Sequence, residues 1–300
     1  MLLWLLAAGL LVCLCFKVHF YLCKPRFQGH WVWVTGANSG IGEQLALAFA
    51  RAGARLILSA RNLAELERVR ALCLHYTAQV EVVPLDLSLP TEVLTTAQGV
   101  LKQHPVDILV NNAGVSQRAP ISSSLLTLDL EKKLFTINYL GQVALTKAVL
   151  PSMVLQRSGH IVYISSVAGL LEAPMRCFYG CSKAATSAYM ESLRAEVAQY
   201  GITVTNIYPG FVQSNGAFNA LGPDGKSVRA QDSNNSQGMS GQAFASLSLR
   251  HIAYRSQEVV IAQMNTRVFL WIKVHFPCAF DLLAPRMFRR FTDAFESENS

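Results

Sequence analysis

A tyrosine followed four residues later by a lysine, Tyr179 and Lys183, is the pair in this sequence best suited to proton transfer. On a helix the two side chains would lie on one face, one turn apart. A phenol has a pKa near ~10, and an ammonium a few ångströms away stabilises the phenolate and moves such a pKa by ~1–3 units. The pair therefore predicts a general acid in which Tyr179 gives the proton. The same spacing is common on surface helices, so its meaning depends on its surroundings.

A glycine-rich stretch, TGANSGIG, runs from Thr35 to Gly42. Glycines at the junction of a strand and a helix let backbone N–H groups approach a pyrophosphate, and the helix N-terminus attracts its negative charge. The spacing is Gly36-x3-Gly40-x-Gly42, which differs from the common G-x-G-x-x-G fingerprint. The alternative is a tight turn without a ligand. The position between an apolar run and a helical pattern favours a dinucleotide site.

The end of the second apolar run bears on the choice of cofactor. A site for NAD offers a carboxylate there to the ribose 2′-hydroxyl. This sequence has Ser59, Ala60 and Arg61 instead. A guanidinium suits a 2′-phosphate, which predicts NADP(H). The alternative is that Arg61 is a solvated residue at the start of a helix.

The segments that must position these residues alternate between short, nearly continuous apolar runs and longer helix-like stretches such as Gly42 to Ala52 and Leu125 to Met153. Apolar runs of this kind are typical of parallel strands that are covered on both faces. The alternation predicts a single α/β domain with a Rossmann-type, doubly wound parallel sheet. The predicted strands are His30–Thr35, Arg55–Ala60, Val80–Leu85, Val106–Asn111, His160–Ser165, Ile202–Tyr208 and Glu258–Ala262.

Four ordered motifs make the sequence similar to the short-chain dehydrogenase/reductase family. They are TGANSGIG, NNAG (Asn111 to Gly114), SSVAG (Ser165 to Gly169) and YGCSK (Tyr179 to Lys183), and the similarity covers roughly Trp31 to Ser214. WVTGANSGIGE, LSARNLAELERV, VNNAGVSQR, NYLGQVALTKAVLP and YPGFVQSN resemble the branch near the 11β-hydroxysteroid dehydrogenases. The resemblance implies an NADP(H)-dependent oxidoreductase that interconverts carbonyl and alcohol groups.

The resemblance also implies the roles of individual residues. Ser166 would polarise the substrate carbonyl, and Asn138 would hold a water in a proton relay to Lys183. Strand alternation would aim the neighbouring Ser165 at the other face. The implied catalytic set is Asn138, Ser166, Tyr179 and Lys183.

The cofactor contacts follow from the same motifs. Asp86 would contact the adenine, although a lone aspartate after a strand is more often a helix cap. Ser214 stands where the family usually has a threonine against the nicotinamide carboxamide, and Lys183 would also bind the nicotinamide ribose. The full implied set is Gly36, Asn38, Ser39, Gly40, Ile41, Gly42, Arg61, Asp86, Asn112, Ala113, Gly114, Lys183 and Ser214. No pattern of metal ligands accompanies them.

The N-terminal stretch from Leu2 to Leu22 is apolar except for Lys17 and His19. As a helix it would span ~31 Å, close to the ~30 Å hydrocarbon core of a bilayer. We expect an uncleaved membrane anchor, residues 1–24, in the endoplasmic reticulum. A cleaved signal peptide is the alternative, but the basic residues that precede its apolar run are missing. The basic residues around the run's end favour a cytosolic domain, in which case the N-x-S acceptor at Asn234 stays unmodified.

The rest of the chain divides into a catalytic domain, residues 29–265, and a C-terminal segment, residues 266–300. The C-terminal segment mixes apolar and basic residues and fits either a core helix or an element resting on a membrane beside the substrate entrance. The polar stretch from Asn215 to Gly241 is predicted to be a long loop or lid, or else an insertion without function.

Composition narrows the classes of partner. The chain has 300 residues, a net charge of +7 and only 15% charged residues, below the ~25% typical of soluble domains. No long basic run or nucleic-acid motif is present, so we exclude nucleic acid. The expected partners are a hydrophobic carbonyl or alcohol substrate such as a steroid, retinoid or lipid, the membrane, and a second copy of the chain. A non-catalytic NADP(H)-binding scaffold or sensor is the alternative function.

Overall fold

A computed structural model describes residues 24–121, 128–171, 174–214, 219–229 and 233–285, together with Phe20 and Arg289. Seven parallel strands form one sheet in the order β3-β2-β1-β4-β5-β6-β7. The order reverses between β1 and β4, which is where open α/β sheets form a crevice at the carboxyl ends of their strands. This confirms the Rossmann-type α/β fold.

The strands begin and end within three residues of the predicted positions. They are β1 Trp31–Thr35, β2 Arg55–Ser59, β3 Val80–Val82, β4 Ile108–Asn111, β5 Gly159–Ile164, β6 Ile202–Pro209 and β7 Glu258–Ile261. The helices are α1 Gly40–Arg51, α2 Leu63–Cys73, α3 Pro90–Leu101, α4 Asp129–Phe135, α5 Gly141–Gln156, α6 Cys177–Val197, the single turn α7 Ser233–Ser236, α8 Gly241–Ala253 and α9 Met264–His275.

The hydrophobic core has two layers, one on each face of the sheet. Alternation along β1 sends Val32 and Val34 to one face, where they pack with α1, α2 and α8. Trp33 points to the opposite face, which α3, α5 and α6 cover. The buried indole N–H of Trp33 donates to the Ser59 hydroxyl at 2.8 Å, so this polar group has a partner in the core.

The long helix-like stretch predicted from Leu125 to Met153 differs from the structure. Residues 122–127 lie outside the described part, and a π-helix, Thr136–Leu140, separates α4 from α5. A π-turn inserts one extra residue into the helical ladder and is frequent at functional sites. The turn carries Asn138.

The predicted membrane anchor lies outside the described residues except for Phe20 and Lys24. Within the described part of the chain, no helix is both long and apolar enough to span a bilayer. The Phe20 ring packs against His251 and Tyr254 at the end of α8, with centroid distances of 4.7 and 5.0 Å. Arg250 donates to the Phe20 carbonyl oxygen at 2.6 Å. These contacts place Phe20 beside the C-terminal end of α8, on the side of the domain where the strands begin.

Two helical glycines provide a matched test of the glycine-rich turn. A Cβ on Gly42 would collide with the Gly36 carbonyl and lie 2.6 Å from the Asn112 amide, whereas a Cβ on Gly99 in α3 would meet nothing within 4 Å. We expect Gly42→Ala to lower the free energy of unfolding by about 1–3 kcal/mol and to weaken dinucleotide binding. Gly99→Ala should raise stability by about 0.4–1 kcal/mol. Urea unfolding measures the free energy of unfolding, and fluorescence titration with NADPH measures dinucleotide binding. Equal changes in the two variants would contradict the packing described around Gly42.

Candidate active site

The sequence motifs meet at the carboxyl edge of the sheet, because parallel strands deliver the residues that follow them to the same edge. The glycine-rich turn follows β1, Arg61 follows β2, the NNAG motif follows β4, Ser166 follows β5 and Ser214 follows β6. Side-chain and backbone hydrogen bonds then join these loops to one another.

The turn between β1 and α1 is fixed by its neighbours. The Asn112 side chain donates to the Thr35 carbonyl oxygen at 2.8 Å, and the Thr35 hydroxyl accepts from the Asn112 and Ala113 N–H groups, both at 3.0 Å. Ser39 occupies the N-cap position of α1 but makes no side-chain capping bond. The first-turn N–H groups of α1 are therefore not capped by Ser39, and they lie where a helix N-terminus binds a pyrophosphate.

A charge pair that the sequence did not reveal lies beside this turn. Glu43, in the first turn of α1, would repel a phosphate. Arg68 of α2 contacts its carboxylate at 2.8 Å and also binds Glu65 at 2.7 Å. The hydrogen bonds to these two carboxylates raise the pKa of Arg68, against a smaller opposing effect of burial. Arg68 thus offsets the Glu43 charge at the expected phosphate site.

The other predicted cofactor residues differ in their surroundings. Arg61 is exposed, and none of the hydrogen bonds formed by the described residues uses its side chain, so its guanidinium is available to a ligand. The Asp86 carboxylate accepts from the Ser88 N–H at 2.9 Å. This bond closes a turn two residues long and is not a helix cap, because the N-cap of α3 is Leu89 and carries no side-chain capping bond. The second carboxylate oxygen is left for other contacts, and the adenine contact stays a prediction. Ser214 is half-buried after β6.

Tyr179 and Ser166 form the centre of the candidate site. Burial raises the pKa of Tyr179, while a hydrogen bond with the Ser166 side chain and the nearby charge of Arg176 lower it. Ser166 also accepts from the Ala168 N–H at 3.1 Å. Ser165 hydrogen-bonds Ser187, further along α6, at 2.9 Å; its orientation away from the site stays a prediction.

Lys183 is almost fully buried, with 3% of its surface exposed. Its Nζ donates to the Ile164 carbonyl oxygen at 2.9 Å and lies 4.9 Å from the centre of the Tyr163 ring. Burial lowers the pKa of Lys183 to about 7. The stabilisation of the Tyr179 phenolate by the Lys183 charge stays a prediction.

Gly114 allows Lys183 and Asn138 to approach the same loop. A Cβ on Gly114 would lie 3.0 Å from Asn138 Oδ1 and 3.4 Å from Lys183 Nζ. Asn138 accepts from the Val115 N–H at 2.8 Å and donates to the Val115 carbonyl at 2.9 Å. These bonds fix the loop after β4; the water-holding role of Asn138 stays a prediction.

Two residues of the site escaped the sequence analysis. Ser182 accepts from the Asn138 amide at 3.0 Å and donates to the Tyr179 carbonyl at 2.7 Å, so it joins the π-helix to α6. Gln117 accepts from the Tyr179 N–H at 3.1 Å. Ser182 lies in YGCSK, and Gln117 lies in VNNAGVSQR. Their partners are distant in the sequence, so no spacing rule points to them.

Comparison with known proteins places these residues in a family. The short chain dehydrogenase family profile matches residues 30–221. The chain is 42% identical over 258 residues to a Drosophila melanogaster "Dehydrogenase/reductase SDR family protein 7-like", covering 83% of this chain and 78% of that protein. It is 39% identical over 272 residues to mouse "Dehydrogenase/reductase SDR family member 7B", covering 89% and 81%.

Solved structures with bound cofactors are also similar. A short-chain dehydrogenase from Sphingobium yanoikuyae in complex with NADPH is 26% identical, with a TM-score of 0.67, covering 88% of this chain and 96% of that one. A short chain dehydrogenase/reductase from Burkholderia phymatum in complex with NAD is 27% identical, with a TM-score of 0.68, covering 78% and 89%. Both neighbours bind a nicotinamide dinucleotide, which supports such a cofactor here.

The low pKa of Lys183 predicts a pH-dependent stability. Its folded value of about 7 lies below the ~10.4 of an unfolded lysine. Between these two pH values the unfolded chain therefore binds more protons than the folded chain does. The free energy of unfolding should then rise as the pH increases from about 7 to about 10, by at most ~1.4 kcal/mol per pH unit. Lys183→Met should lose this increment in urea unfolding of the apoprotein. Lys147→Met, at an exposed lysine of α5, should keep it; the same slope in all three proteins would contradict the assignment.

Proposed function

Because the chain belongs to the short-chain dehydrogenase/reductase family of oxidoreductases, we propose that it interconverts a carbonyl and an alcohol on a hydrophobic substrate with NADP(H). The observation that carries the proposal is the grouping of Tyr179, Ser166 and the buried Lys183 at the carboxyl edge of the sheet. This edge also holds an uncapped helix N-terminus suited to a dinucleotide.

The chemistry assigned to the side chains follows from their positions. Bound NADPH supplies the hydride that reaches the carbonyl carbon. Tyr179 gives its phenolic proton to the carbonyl oxygen, and the Ser166 hydroxyl donates a hydrogen bond to the same oxygen. Lys183 would hold the adjoining ribose when the cofactor is bound and, with a pKa near neutrality, could return a proton to Tyr179. In the oxidising direction the same groups act in reverse.

Arg61 supports NADP(H) over NAD(H). Its side chain is exposed after β2, beside the glycine-rich turn, where the Ala37 N–H donates to the Ser59 carbonyl at 3.2 Å. No carboxylate stands at the end of this strand to bind a ribose 2′-hydroxyl. A guanidinium there would pair with a 2′-phosphate.

The C-terminal helix supports a hydrophobic substrate. Lys273 of α9 donates to the Leu170 carbonyl at 2.8 Å, which brings α9 against the loop that follows Ser166. Trp271 and Val274 of the same helix are 53% and 72% exposed. Apolar side chains beside the catalytic edge favour a steroid, retinoid or lipid carbonyl.

The proposal has two further parts. Residues 1–24 anchor the protein in the membrane of the endoplasmic reticulum, with the catalytic domain in the cytosol. Two copies of the chain form a homodimer.

Replacing the proposed acid tests the chemistry. We expect Tyr179→Phe to keep dinucleotide binding and lower kcat by about 10²–10⁴-fold, because only the donated proton is removed. NADPH oxidation, followed by absorbance with 4-nitrobenzaldehyde, a decalone and a steroid ketone, measures kcat. Tyr189→Phe, at a half-buried tyrosine further along α6, is the matched control. A kcat within tenfold of the parent would contradict the role of Tyr179. NADPH binding without turnover in the parent would favour the scaffold alternative.

Cofactor choice is tested at Arg61. Arg61→Ala should raise the Kd for NADPH by about 10- to 100-fold, the loss of a charge-assisted hydrogen bond of ~1.5–3 kcal/mol, and barely change the Kd for NADH. Arg51→Ala, at the end of α1 that is far from the glycine-rich turn, is the control and should change neither the Kd for NADPH nor the Kd for NADH. Fluorescence titrations give the four constants. Equal weakening toward both dinucleotides would mean that Arg61 does not contact a 2′-phosphate, and no change at all would place it in solvent.

A further inference from the structure

Part of the polar stretch after β6 folds as a hairpin that we define as hairpin 220–228. The Val228 N–H donates to the Ala220 carbonyl and the Gly222 N–H to the Lys226 carbonyl, both at 2.8 Å. Leu221 pairs with Ser227 in an antiparallel bridge. The predicted loop or lid thus contains an ordered element with its own backbone hydrogen bonds.

Hairpin 220–228 is docked on the loop that follows β4. The Leu221 N–H donates to the Ser116 carbonyl at 2.9 Å, and the Arg118 N–H donates to the Leu221 carbonyl at 2.8 Å. These two bonds enclose Gln117. The Leu221 side chain is buried with Ala119, Leu130 and Leu134, so docking combines a bridge with apolar burial.

Gln117 connects this docked hairpin to the proposed acid. Its backbone forms the bridge with Leu221, its side chain is 1% exposed, and its Oε1 accepts from the Tyr179 N–H at 3.1 Å. Tyr179 is the third residue of α6, and the N–H groups of a first helical turn have no partner within the helix. Arg176, at the N-cap, makes no side-chain capping bond. Gln117 therefore supplies, from a distant loop, the partner that a capping side chain would otherwise provide.

We propose that Gln117 is a positioning residue that holds the first turn of α6, and with it Tyr179, in register with hairpin 220–228. Docking of the hairpin fixes Gln117, and Gln117 fixes Tyr179. A docked hairpin thus keeps the acid aligned, whereas an undocked hairpin leaves the acid less well placed. The effect on turnover rests on the proposed function, but the link between the two segments does not.

The chain offers three substitutions that separate this role from simple structural support. Gln117→Met keeps the size of the side chain and removes the acceptor. Gln117→Glu keeps an acceptor oxygen and serves as the rescue. Leu221→Ala loosens the hairpin from its apolar contacts and leaves the Gln117 side chain itself unaltered.

Turnover of 4-nitrobenzaldehyde with NADPH by the full chain is the first measurement. We expect Gln117→Met to lower kcat by about 10-fold or more, as misplacement of a catalytic group does, with the Kd for NADPH within about twofold of the parent. Gln117→Glu should recover most of kcat. The double variant with Leu221→Ala should lose less than the product of the two single losses, because both act through one contact. An unchanged kcat in Gln117→Met, or fully multiplicative losses, would overturn the proposal.

Amide hydrogen exchange is the second measurement and requires no turnover. Gln117→Met and Leu221→Ala should each speed exchange in residues 177–180 by about fivefold or more, since the Tyr179 amide loses its fixed acceptor and the first turn of α6 is held less firmly. Exchange in β4 and β5 should be unchanged, and Gln117→Glu should resemble the parent. Unchanged exchange in residues 177–180 would overturn the proposal, and so would equal acceleration throughout the sheet. If the parent reduces none of the carbonyls while these exchange changes appear, the proposed function fails and the link stands.

Discussion

Lys183 brings an amino group into the interior of the domain, and much of the catalytic edge is arranged to accommodate it. Removing a lysine from water is costly unless the amino group finds partners. Its Nζ donates to the carbonyl at the end of β5 and lies over the Tyr163 ring. The loop after β4 passes so close that a side chain at Gly114 would reach both Lys183 and Asn138. The low pKa that burial causes would also fit this lysine for passing a proton near neutral pH in the proposed reaction.

The elements around Lys183 are held by polar contacts that cross the topology. Asn138 sits in a π-turn and binds the backbone of Val115, and Ser182 joins Asn138 to Tyr179. On the cofactor side, Asn112 fixes the glycine-rich turn and Arg68 neutralises Glu43. The same edge therefore combines the proposed dinucleotide cradle with the proposed acid, Tyr179, whose position is set by the loops after β4 and β5. Preorganised catalysis needs such an arrangement.

Much of this could be predicted from the sequence, for identifiable reasons. Parallel strands covered on both faces appear as continuous apolar runs, so all seven strands were found. The positions of the motifs after those strands then predicted which residues share the carboxyl edge.

What the sequence did not predict depends on contacts between distant residues. Gln117 and Tyr179 are 62 residues apart, Asn138 and Ser182 are 44 apart, and Glu43 and Arg68 are 25 apart. The π-turn interrupts a stretch whose composition is uniformly helical, because tertiary packing rather than local preference selects it. The polar residues of hairpin 220–228 indicated a loop, and only its bridges to the loop after β4 give it an ordered shape. Most of the expected anchor and most of the C-terminal segment after residue 285 lie outside the described residues and stay predictions.

Isotope transfer tests the central claim that this edge carries out hydride transfer to a carbonyl. Wild-type protein would be incubated with NADPH deuterated at C4 and with 4-nitrobenzaldehyde, the decalone and the steroid ketone, and each alcohol product analysed by mass spectrometry. The account predicts one deuterium on the carbinol carbon of a product, from one face of the nicotinamide only. NADPH that binds tightly while no product carries deuterium, or deuterium transfer that continues at the parental rate in Tyr179→Phe, would contradict it.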